Sequence, residues 1–197
     1  MIKITIVDYG SGNVLSAQKS FIKIAKDNNI EVDVLISKKL NDVKNSTHIV
    51  LPGQGAFSTC MNGLKKTDGL IDELSEFALI KKKPFLGICV GMQMLAKKSE
   101  EKGDHEGLGW IDGQIKLLPE ENLKLPHMGW NLAIPTNSKY NNLISNKNDY
   151  YFVHSYYFDC ANKDNILAET KYGTNFASIV GKENIYGVQF HPEKSSS

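Results

Sequence analysis

The first half of the chain alternates between short β-branched runs and segments with helical periodicity, and this alternation most constrains the fold. The runs that predict strands lie at residues 2–7, 31–36, 48–51 and 84–88. Apolar residues recur at helical spacing over residues 14–25 and 70–78, and a further helix is expected over residues 92–98. Strands separated by helices predict βαβ units. Because the runs are apolar throughout, we expect a parallel sheet that is buried on both faces.

The second half of the chain has a different pattern. From Trp110 onward helical periodicity is weak, and short aromatic and β-branched runs lie at residues 150–158, 166–170, 176–180 and 185–190. Turn residues separate these runs, as in hairpins. We therefore expect an antiparallel extension of the sheet.

Charge and cysteine usage exclude several classes of function. Lys plus Arg total 23 and Asp plus Glu total 22, so the chain lacks the basic excess of a nucleic-acid-binding protein. No apolar run approaches the roughly 18 residues that a membrane-spanning helix needs. The cysteines, Cys60, Cys89 and Cys160, are odd in number and form no C-x-x-C pair, so we expect reduced thiols. We predict a cytoplasmic protein with no nucleic-acid or membrane partner.

The segment Gly87-Ile88-Cys89-Val90-Gly91 has the form of a nucleophile elbow. In an elbow the nucleophile's backbone is strained, and glycines two residues before and after it relieve the crowding. The turn would lift the Cys89 thiol to the carboxyl end of the sheet and to a helix N-terminus, which favours the thiolate. The Val90 N–H would help to hold an oxyanion. Five residues alone leave a buried structural cysteine as the alternative.

A cysteine nucleophile needs a base and a group that orients this base. His191 follows an apolar run and precedes Pro192, which favours extended backbone at His191. Because residues i and i+2 of an extended segment face the same side, Glu193 can reach one ring nitrogen and leave the other for Cys89. The alternative is a turn with a surface carboxylate. We expect the other histidines to be structural or solvated: His48, His105, His127 and His154.

Together these motifs resemble the class I, or triad, glutamine amidotransferases. The matching residues are Gly87-Ile88-Cys89-Val90-Gly91-Met92-Gln93 and His191-Pro192-Glu193. More narrowly, the chain resembles the glutaminase subunits of imidazole glycerol phosphate synthases. Further matching stretches, in family order, are Asp8-Tyr9-Gly10-Ser11-Gly12-Asn13, Pro52-Gly53-Gln54-Gly55-Ala56-Phe57, Gly107-Leu108-Gly109-Trp110, Pro126-His127-Met128-Gly129-Trp130-Asn131 and Val153-His154-Ser155-Tyr156-Tyr157.

The resemblance implies a flavodoxin-like α/β fold in one domain over residues 1–197. A central, mostly parallel sheet would be flanked by helices, with the antiparallel extension in the C-terminal half. The family usually carries a last helix beyond the point at which this sequence stops, so we expect that helix to be absent from it. No metal or organic cofactor is implied, and the sequence shows no metal-ligand spacing.

The resemblance also implies a role for each matching residue. Cys89 would attack the amide of glutamine, His191 would move protons, and Glu193 would orient His191. The oxyanion hole would use the backbone of Val90, Gly53 and Gln54, and the glutamine pocket would contain Gly55, Gln93, Glu101, Ser155 and Tyr156. A surface position for Gln93 and a solvated position for Glu101 are the alternatives.

The implied partner is a (β/α)8-barrel cyclase subunit that forms a heterodimer with this chain and receives its ammonia. The pathway would be histidine biosynthesis. The interface would contain Asn13, Met128, Trp130, Asn131 and Lys194, although Trp130 could instead belong to the core.

One departure from the family pattern and three rival functions stay open at this point. Gln54 stands where the family commonly has valine, which could alter how the partner triggers the oxyanion loop. The same glutaminase chemistry could serve a surface-sugar amidotransferase. The chain could also be a stand-alone γ-glutamyl hydrolase, or an inactive scaffold that only binds the cyclase.

Overall fold

The computed structural model describes residues 1–119, 124–140, 144 and 149–195. The helices are α1 (Val14–Asp27), α2 (Leu40–Asn45), α3 (Phe57–Lys65), α4 (Leu70–Ser75) and α5 (Val90–Gln93). A π-helical turn, Glu76–Ile80, continues α4, and 3-10 turns lie at Ser138–Tyr140, Lys163–Asn165 and Pro192–Lys194. The strands are β1 (Ile2–Val7), β2 (Val32–Ser37), β3 (His48–Gly53), β4 (Phe85–Cys89), β5 (Lys98–Ser99), β6 (His105–Glu106), β7 (Gly113–Leu117), β8 (His127–Leu132), β9 (Ile134–Pro135), β10 (Asp149–His154), β11 (Tyr156–Cys160), β12 (Ile166–Tyr172), β13 (Thr174–Lys182) and β14 (Ile185–Val188).

The centre of the molecule is a parallel sheet in the order β2-β1-β3-β4-β14. Its strands are rich in apolar residues, and Ile6, Leu51 and Ile88 are almost fully buried between the layers. The register pairs Gly53 of β3 with Cys89 of β4. Since parallel strands end at the same edge, this pairing brings two segments of the predicted site together at the carboxyl end of the sheet.

The sheet continues from β14 through antiparallel strands β13, β11 and β7, with β12 on the other side of β13. A separate two-stranded sheet pairs β8 with β10, and its register sets Trp130 opposite Tyr151. The prediction of a central, mostly parallel sheet with an antiparallel extension in the C-terminal half is therefore confirmed.

The helix predicted over residues 92–98 is wrong, because α5 ends at Gln93. The next carbonyl oxygens are taken by a distant loop: the N–H groups of Leu108, Ile111 and Gly109 donate to Met94, Leu95 and Ala96 at 2.8, 3.0 and 3.0 Å. Carbonyls bonded in this way do not continue a helix. Lys98 and Ser99 instead form β5.

Local patterns also gave an incomplete account of the other strands and helices. The run at 150–158 is divided between β10 and β11, which lie in different sheets on either side of Ser155. The run at 185–190 leaves the strand after Val188. Helix α3 and strands β7 and β8 lie in stretches whose periodicity did not indicate them.

Candidate active site

Cys89 stands at the last position of β4, with φ 54° and ψ −114°. This backbone conformation is strained for a residue with a side chain, and it needs close packing around it. A Cβ on Gly87 would stand 2.6 Å from the carbonyl oxygen of Gly91, and a Cβ on Gly91 would overlap the carbonyl of Leu51. The structure therefore has the predicted elbow, in which glycine is required by close approach. The helix after it is only four residues long, so less dipole supports the thiolate than we expected.

His191 and Glu193 are oriented towards each other as predicted. The Nδ1 atom of His191 lies 2.9 Å from Oε1 of Glu193, and the two side chains are 5% and 4% exposed. Burial alone would lower the pKa of His191, but the interactions with Cys89 and Glu193 together outweigh it and raise this pKa to about 9. The buried Nε2 atom of His191 has no hydrogen-bond partner among the described residues. The carboxylate thus occupies one ring nitrogen, and the other is left for the thiol or a substrate.

A cavity of about 370 Å³ opens in front of the elbow. It brings together most of the predicted site residues: Gln54, Gly55, Cys89, Val90, Gln93, Glu101, Ser155, Tyr156 and His191. Glu193 is behind His191, outside this lining. Residues more than 100 positions apart in the chain therefore meet at one concave surface, as a binding site requires.

Gln93 is buried and not a surface residue, so the alternative we considered for it is wrong. Its Nε2 donates to the carbonyl oxygen of Tyr156 at 3.0 Å and to Oε1 of Gln189 at 3.1 Å. Glu101 is half-buried, and its Oε2 accepts the N–H of Phe57 at 2.7 Å. This bond fixes the Glu101 carboxylate at the cavity wall, where it can bind a cationic group of a ligand.

Two of the predicted oxyanion residues lie at the end of β3, where Gly53 is the last residue of the strand and Gln54 begins the loop. The Ser11 hydroxyl donates to the carbonyl oxygen of Gln54 at 2.6 Å, and the Gln54 N–H donates to the Ser11 Oγ at 3.4 Å. Both main-chain polar groups of Gln54 are thus engaged with Ser11. Gly53 packs against the elbow, because a Cβ there would come 2.5 Å from the Gly91 nitrogen. In this conformation the Gln54 N–H is not presented to a developing oxyanion.

The predicted interface residues differ in their surroundings. Met128 and Trp130 are 62% and 54% exposed on one face of β8, so Trp130 is not a core residue. Lys194 places its Nζ 5.6 Å from the ring centroid of Tyr151. Asn131 turns its amide inward, where Nδ2 reaches the Nε2 of His127 at 3.2 Å. Asn13 caps α1 through its Oδ1, which accepts the N–H of Ser16.

Sequence reasoning missed Gln189, which is completely buried beside the nucleophile. Its Nε2 donates to the Sγ of Cys89 at 3.7 Å. The signal was present in the chain, since Gln189 precedes His191 by two residues and an extended segment presents such pairs on one side. It was missed because we searched for acids and bases, and an amide is neither.

Sequence reasoning also missed how His127 and His154 are joined. The Nδ1 of His127 lies 3.1 Å from the Nε2 of His154, whose Nδ1 lies 2.8 Å from the carbonyl oxygen of Tyr156. Burial lowers the pKa of His127 to about 4 and, with other effects, that of His154 to about 3. Both rings are therefore neutral near pH 7, in keeping with a structural role.

The described residues include neither a metal-binding cluster nor a membrane-spanning helix. Across residues 1–119, 124–140, 144 and 149–195, no three His, Cys, Asp or Glu side chains are grouped to hold a metal ion. Over the same residues, no helix has the length and apolar character needed to cross a membrane.

Comparison with known proteins agrees with this geometry. The model of the glutamine amidotransferase class-I family matches residues 5–197. The chain therefore belongs to the class-I glutamine amidotransferase family. A crystal structure of a glutamine amidotransferase superposes with a TM-score of 0.68 at 15% identity, over 96% of this chain and 90% of the other. A second one, from Thermotoga maritima, gives a TM-score of 0.61 at 20% identity, over 98% and 76%.

Curated relatives narrow the comparison within the family. The imidazole glycerol phosphate synthase subunit HisH of Pelagibacter ubique (strain HTCC1062) is 46% identical over 197 residues, which cover 98% of this chain and 93% of that protein. The subunit of the same name from Rhodospirillum rubrum is 40% identical over 201 residues, covering 100% of this chain and 94% of that protein. The similarity thus extends along nearly the whole of both proteins.

Proposed function

We propose that this chain is the glutamine-hydrolysing subunit of an imidazole glycerol phosphate synthase. The observation that carries the proposal is the assembly of Cys89 and His191 at one cavity wall, with Glu193 bonded to His191 from behind, in a chain that is 46% identical to a HisH subunit. The chain is an enzyme subunit that releases ammonia from glutamine for histidine biosynthesis. Its single amidotransferase domain takes up residues 1–197, and it acts in the cytoplasm.

In the first half-reaction the Cys89 thiolate attacks the side-chain amide carbon of glutamine, and a C–S bond forms. The developing oxyanion is held by the backbone N–H of Val90 and of the 53–54 loop once this loop presents its N–H group. Imidazolium His191 then gives its proton to the amide nitrogen, the C–N bond breaks, and ammonia leaves a γ-glutamyl thioester. Glu193 stabilises the imidazolium throughout.

In the second half-reaction His191, now neutral, takes a proton from water, and the hydroxide attacks the thioester carbon. The C–S bond breaks to give glutamate and the Cys89 thiolate. Glutamine is oriented by the cavity wall, in which the Glu101 carboxylate accepts its α-ammonium group and Ser155 and Tyr156 contact its backbone end. No metal or organic cofactor takes part in these steps.

The partner subunit is a cyclase, and we propose that it is a (β/α)8 barrel that docks on the face formed by β8 and the Pro192–Lys194 turn. The exposed Met128 and Trp130 supply the apolar contact that such an interface needs at its centre. Helix α1 contacts the Pro192–Lys194 turn, and we propose that its cap Asn13 extends the same face. Ammonia would pass across this interface without reaching bulk water.

The test is glutamate release from glutamine by the purified chain, alone and with a cyclase subunit of an imidazole glycerol phosphate synthase and its nucleotide ligand. We expect a low rate alone and a large rise with the cyclase. Cys89→Ser should abolish synthesis from glutamine while synthesis from added ammonia survives. Strong turnover without a partner would favour a stand-alone hydrolase, and turnover by Cys89→Ser would refute the triad.

A further inference from the structure

Gln189 joins the nucleophile to a buried network of amides. The residue follows β14, and its main-chain N–H donates to the carbonyl oxygen of Ser178 at 2.9 Å. Its side chain is completely buried, with Nε2 3.7 Å from the Cys89 Sγ and Oε1 3.1 Å from the Nε2 of Gln93. Gln189 is not part of the lining of the cavity. Its amide therefore approaches the sulfur from the protein interior, on a side that glutamine does not occupy.

The orientation of the Gln189 amide is fixed by its neighbours. The Tyr156 carbonyl oxygen can only accept a hydrogen bond, so Gln93 must turn its Nε2 towards it, at 3.0 Å. The same Nε2 faces Gln189, which must then present its Oε1 as the acceptor. Consequently the Nε2 of Gln189 points at Cys89. If the Gln189 amide were flipped, its NH2 group would face the NH2 group of Gln93, and its oxygen would face the Cys89 sulfur.

The same Tyr156 carbonyl also fixes the state of His154. The Nδ1 of His154 must donate to this oxygen, so its Nε2 is an acceptor and receives the Nδ1–H of His127. Both histidines are then neutral, in agreement with their lowered pKa values. The Tyr156 carbonyl thus fixes the orientation of the Gln93 amide and, through it, that of the Gln189 amide.

The elbow needs such a donor. Its helix is four residues long, and a dipole of this length gives a thiolate limited support. A thiolate buried next to apolar residues is costly unless charge or hydrogen bonds reach it. The charge of the His191 imidazolium supports the thiolate, but this charge is lost when His191 gives its proton to the leaving amide nitrogen. A neutral amide keeps its hydrogen bond to sulfur at every step.

We propose that the side-chain amide of Gln189 is a thiolate-stabilising donor to Cys89, held in position by Gln93. This inference rests on the proposed role of Cys89 as nucleophile. Gln189 acts on the sulfur and does not touch glutamine, so its loss lowers kcat while KM changes little. The hydrogen bond also favours the thiolate before substrate binds, so its loss is visible in the free protein.

The test measures alkylation of Cys89 by iodoacetamide as a function of pH, because only the thiolate reacts. Cys89→Ser supplies the blank for the buried Cys60 and Cys160. Gln189→Met keeps the length of the side chain but offers the sulfur no N–H donor, and Gln189→Leu shortens the side chain as well. We expect the alkylation midpoint to move up by about one pH unit in both variants, which is about tenfold in the thiolate population.

A matched control is Ser178→Ala, in the strand that binds the Gln189 main chain. Its buried hydroxyl has no hydrogen-bond partner among the described residues, so this variant disturbs the same packing without touching the sulfur. It should keep the wild-type midpoint. Wild-type midpoints in both Gln189 variants would overturn the inference, and so would an equal shift in Ser178→Ala.

If neither Gln189 variant folds, the hydrogen bond can still be tested in the wild-type protein by NMR. The side-chain amide nitrogen resonance of Gln189 should titrate over the pH range of the alkylation and lose this titration in Cys89→Ala. The inference would be overturned if the chemical shift of this resonance did not change when the Cys89 thiol ionises. Failure of the proposed function gives a different result, since glutamine turnover by Cys89→Ser would refute the nucleophile whatever the alkylation midpoint of the Gln189 variants.

Discussion

The His191 ring is held by Glu193 through a contact of 2.9 Å between Nδ1 and Oε1, in surroundings that exclude water from both side chains. Glu193→Gln keeps the shape of this pair and removes the charge that stabilises the imidazolium. We expect kcat to fall about 100-fold or more, because the proton donor for ammonia is lost. The pKa of His191, raised to about 9 in the native protein, should fall as well. The alkaline limb of the pH–rate profile for kcat/KM then moves to lower pH.

The control for this variant is Glu183→Gln, which removes an exposed carboxylate paired with Lys82. It should leave both the rate and the pH profile unchanged. If Glu193→Gln lowered the rate while the alkaline limb stayed in place, the carboxylate would act on folding or on glutamine, and not through the imidazolium.

Ser11 holds the main chain on both sides of Gln54, because its hydroxyl group donates to the Gln54 carbonyl oxygen and accepts the Gln54 N–H. Ser11→Ala removes these contacts and frees the peptide to present its N–H to the oxyanion. A hydrogen bond of this kind is worth about 1 kcal/mol, so we expect the partner-free rate of glutamine hydrolysis to rise about fivefold. The stimulation by the cyclase should shrink by the same factor.

The matched control is Ser75→Ala, which removes a hydroxyl that donates to the Ile71 carbonyl oxygen within a helix. It should not change glutamine hydrolysis. A partner-free rate that stayed equal or fell in Ser11→Ala would mean that Ser11 holds the loop in its productive conformation.

His127 and His154 should make the fold sensitive to acid. Their pKa values are lowered to about 4 and about 3, whereas in the unfolded chain they return to about 6.5. Below pH 6.5 the unfolded state therefore binds more protons, and stability falls as the pH drops from 6.5 towards 4. Each histidine contributes at most about 1.4 kcal/mol per pH unit to this slope.

The measurement is urea unfolding between pH 7.5 and pH 4.5, in the wild type and in His154→Gln. The variant should be less stable at pH 7.5 and should show a shallower loss on acidification. His48→Gln is the control, because His48 lies in another part of the fold and is only partly buried. An unchanged slope in His154→Gln would assign the acid sensitivity to other groups.

Local sequence patterns predicted those elements whose own residues have the periodicity of a strand or a helix. The central strands and α1 have the periodicity of their final structure, and the elbow glycines are dictated by the close approach at Gly87 and Gly91. The i, i+2 relationship of His191 and Glu193 needed only extended backbone, so it too was predictable from the sequence.

What could not be predicted depends on contacts between distant segments. Helix α5 stops at Gln93 because residues 108–111 capture the next carbonyl groups, and no property of residues 92–98 reveals this. Likewise, Gln93 is buried and Asn131 turns inward because each meets a residue far away in the chain, at Tyr156 and at Lys171 respectively. The exposure of a side chain is set by the completed fold. Local spacing therefore predicts which residues have a suitable side chain, but not whether this side chain is buried.

Trp130 should be the centre of the partner interface. It lies on the exposed face of β8 next to Met128, and its ring packs edge-on against Tyr151, with 5.6 Å between the centroids. An exposed, pre-positioned tryptophan is typical of residues that dominate binding. We expect Trp130→Ala to weaken cyclase binding by about 2 kcal/mol, or about 30-fold in Kd, by titration calorimetry. The unfolding free energy of the free chain should change little, because the ring is already in contact with water. Ile80→Ala removes an apolar side chain that is even more exposed than Trp130, from a different part of the surface, and should leave Kd unchanged. Equal affinities for Trp130→Ala and Ile80→Ala would place the cyclase on another face of the molecule.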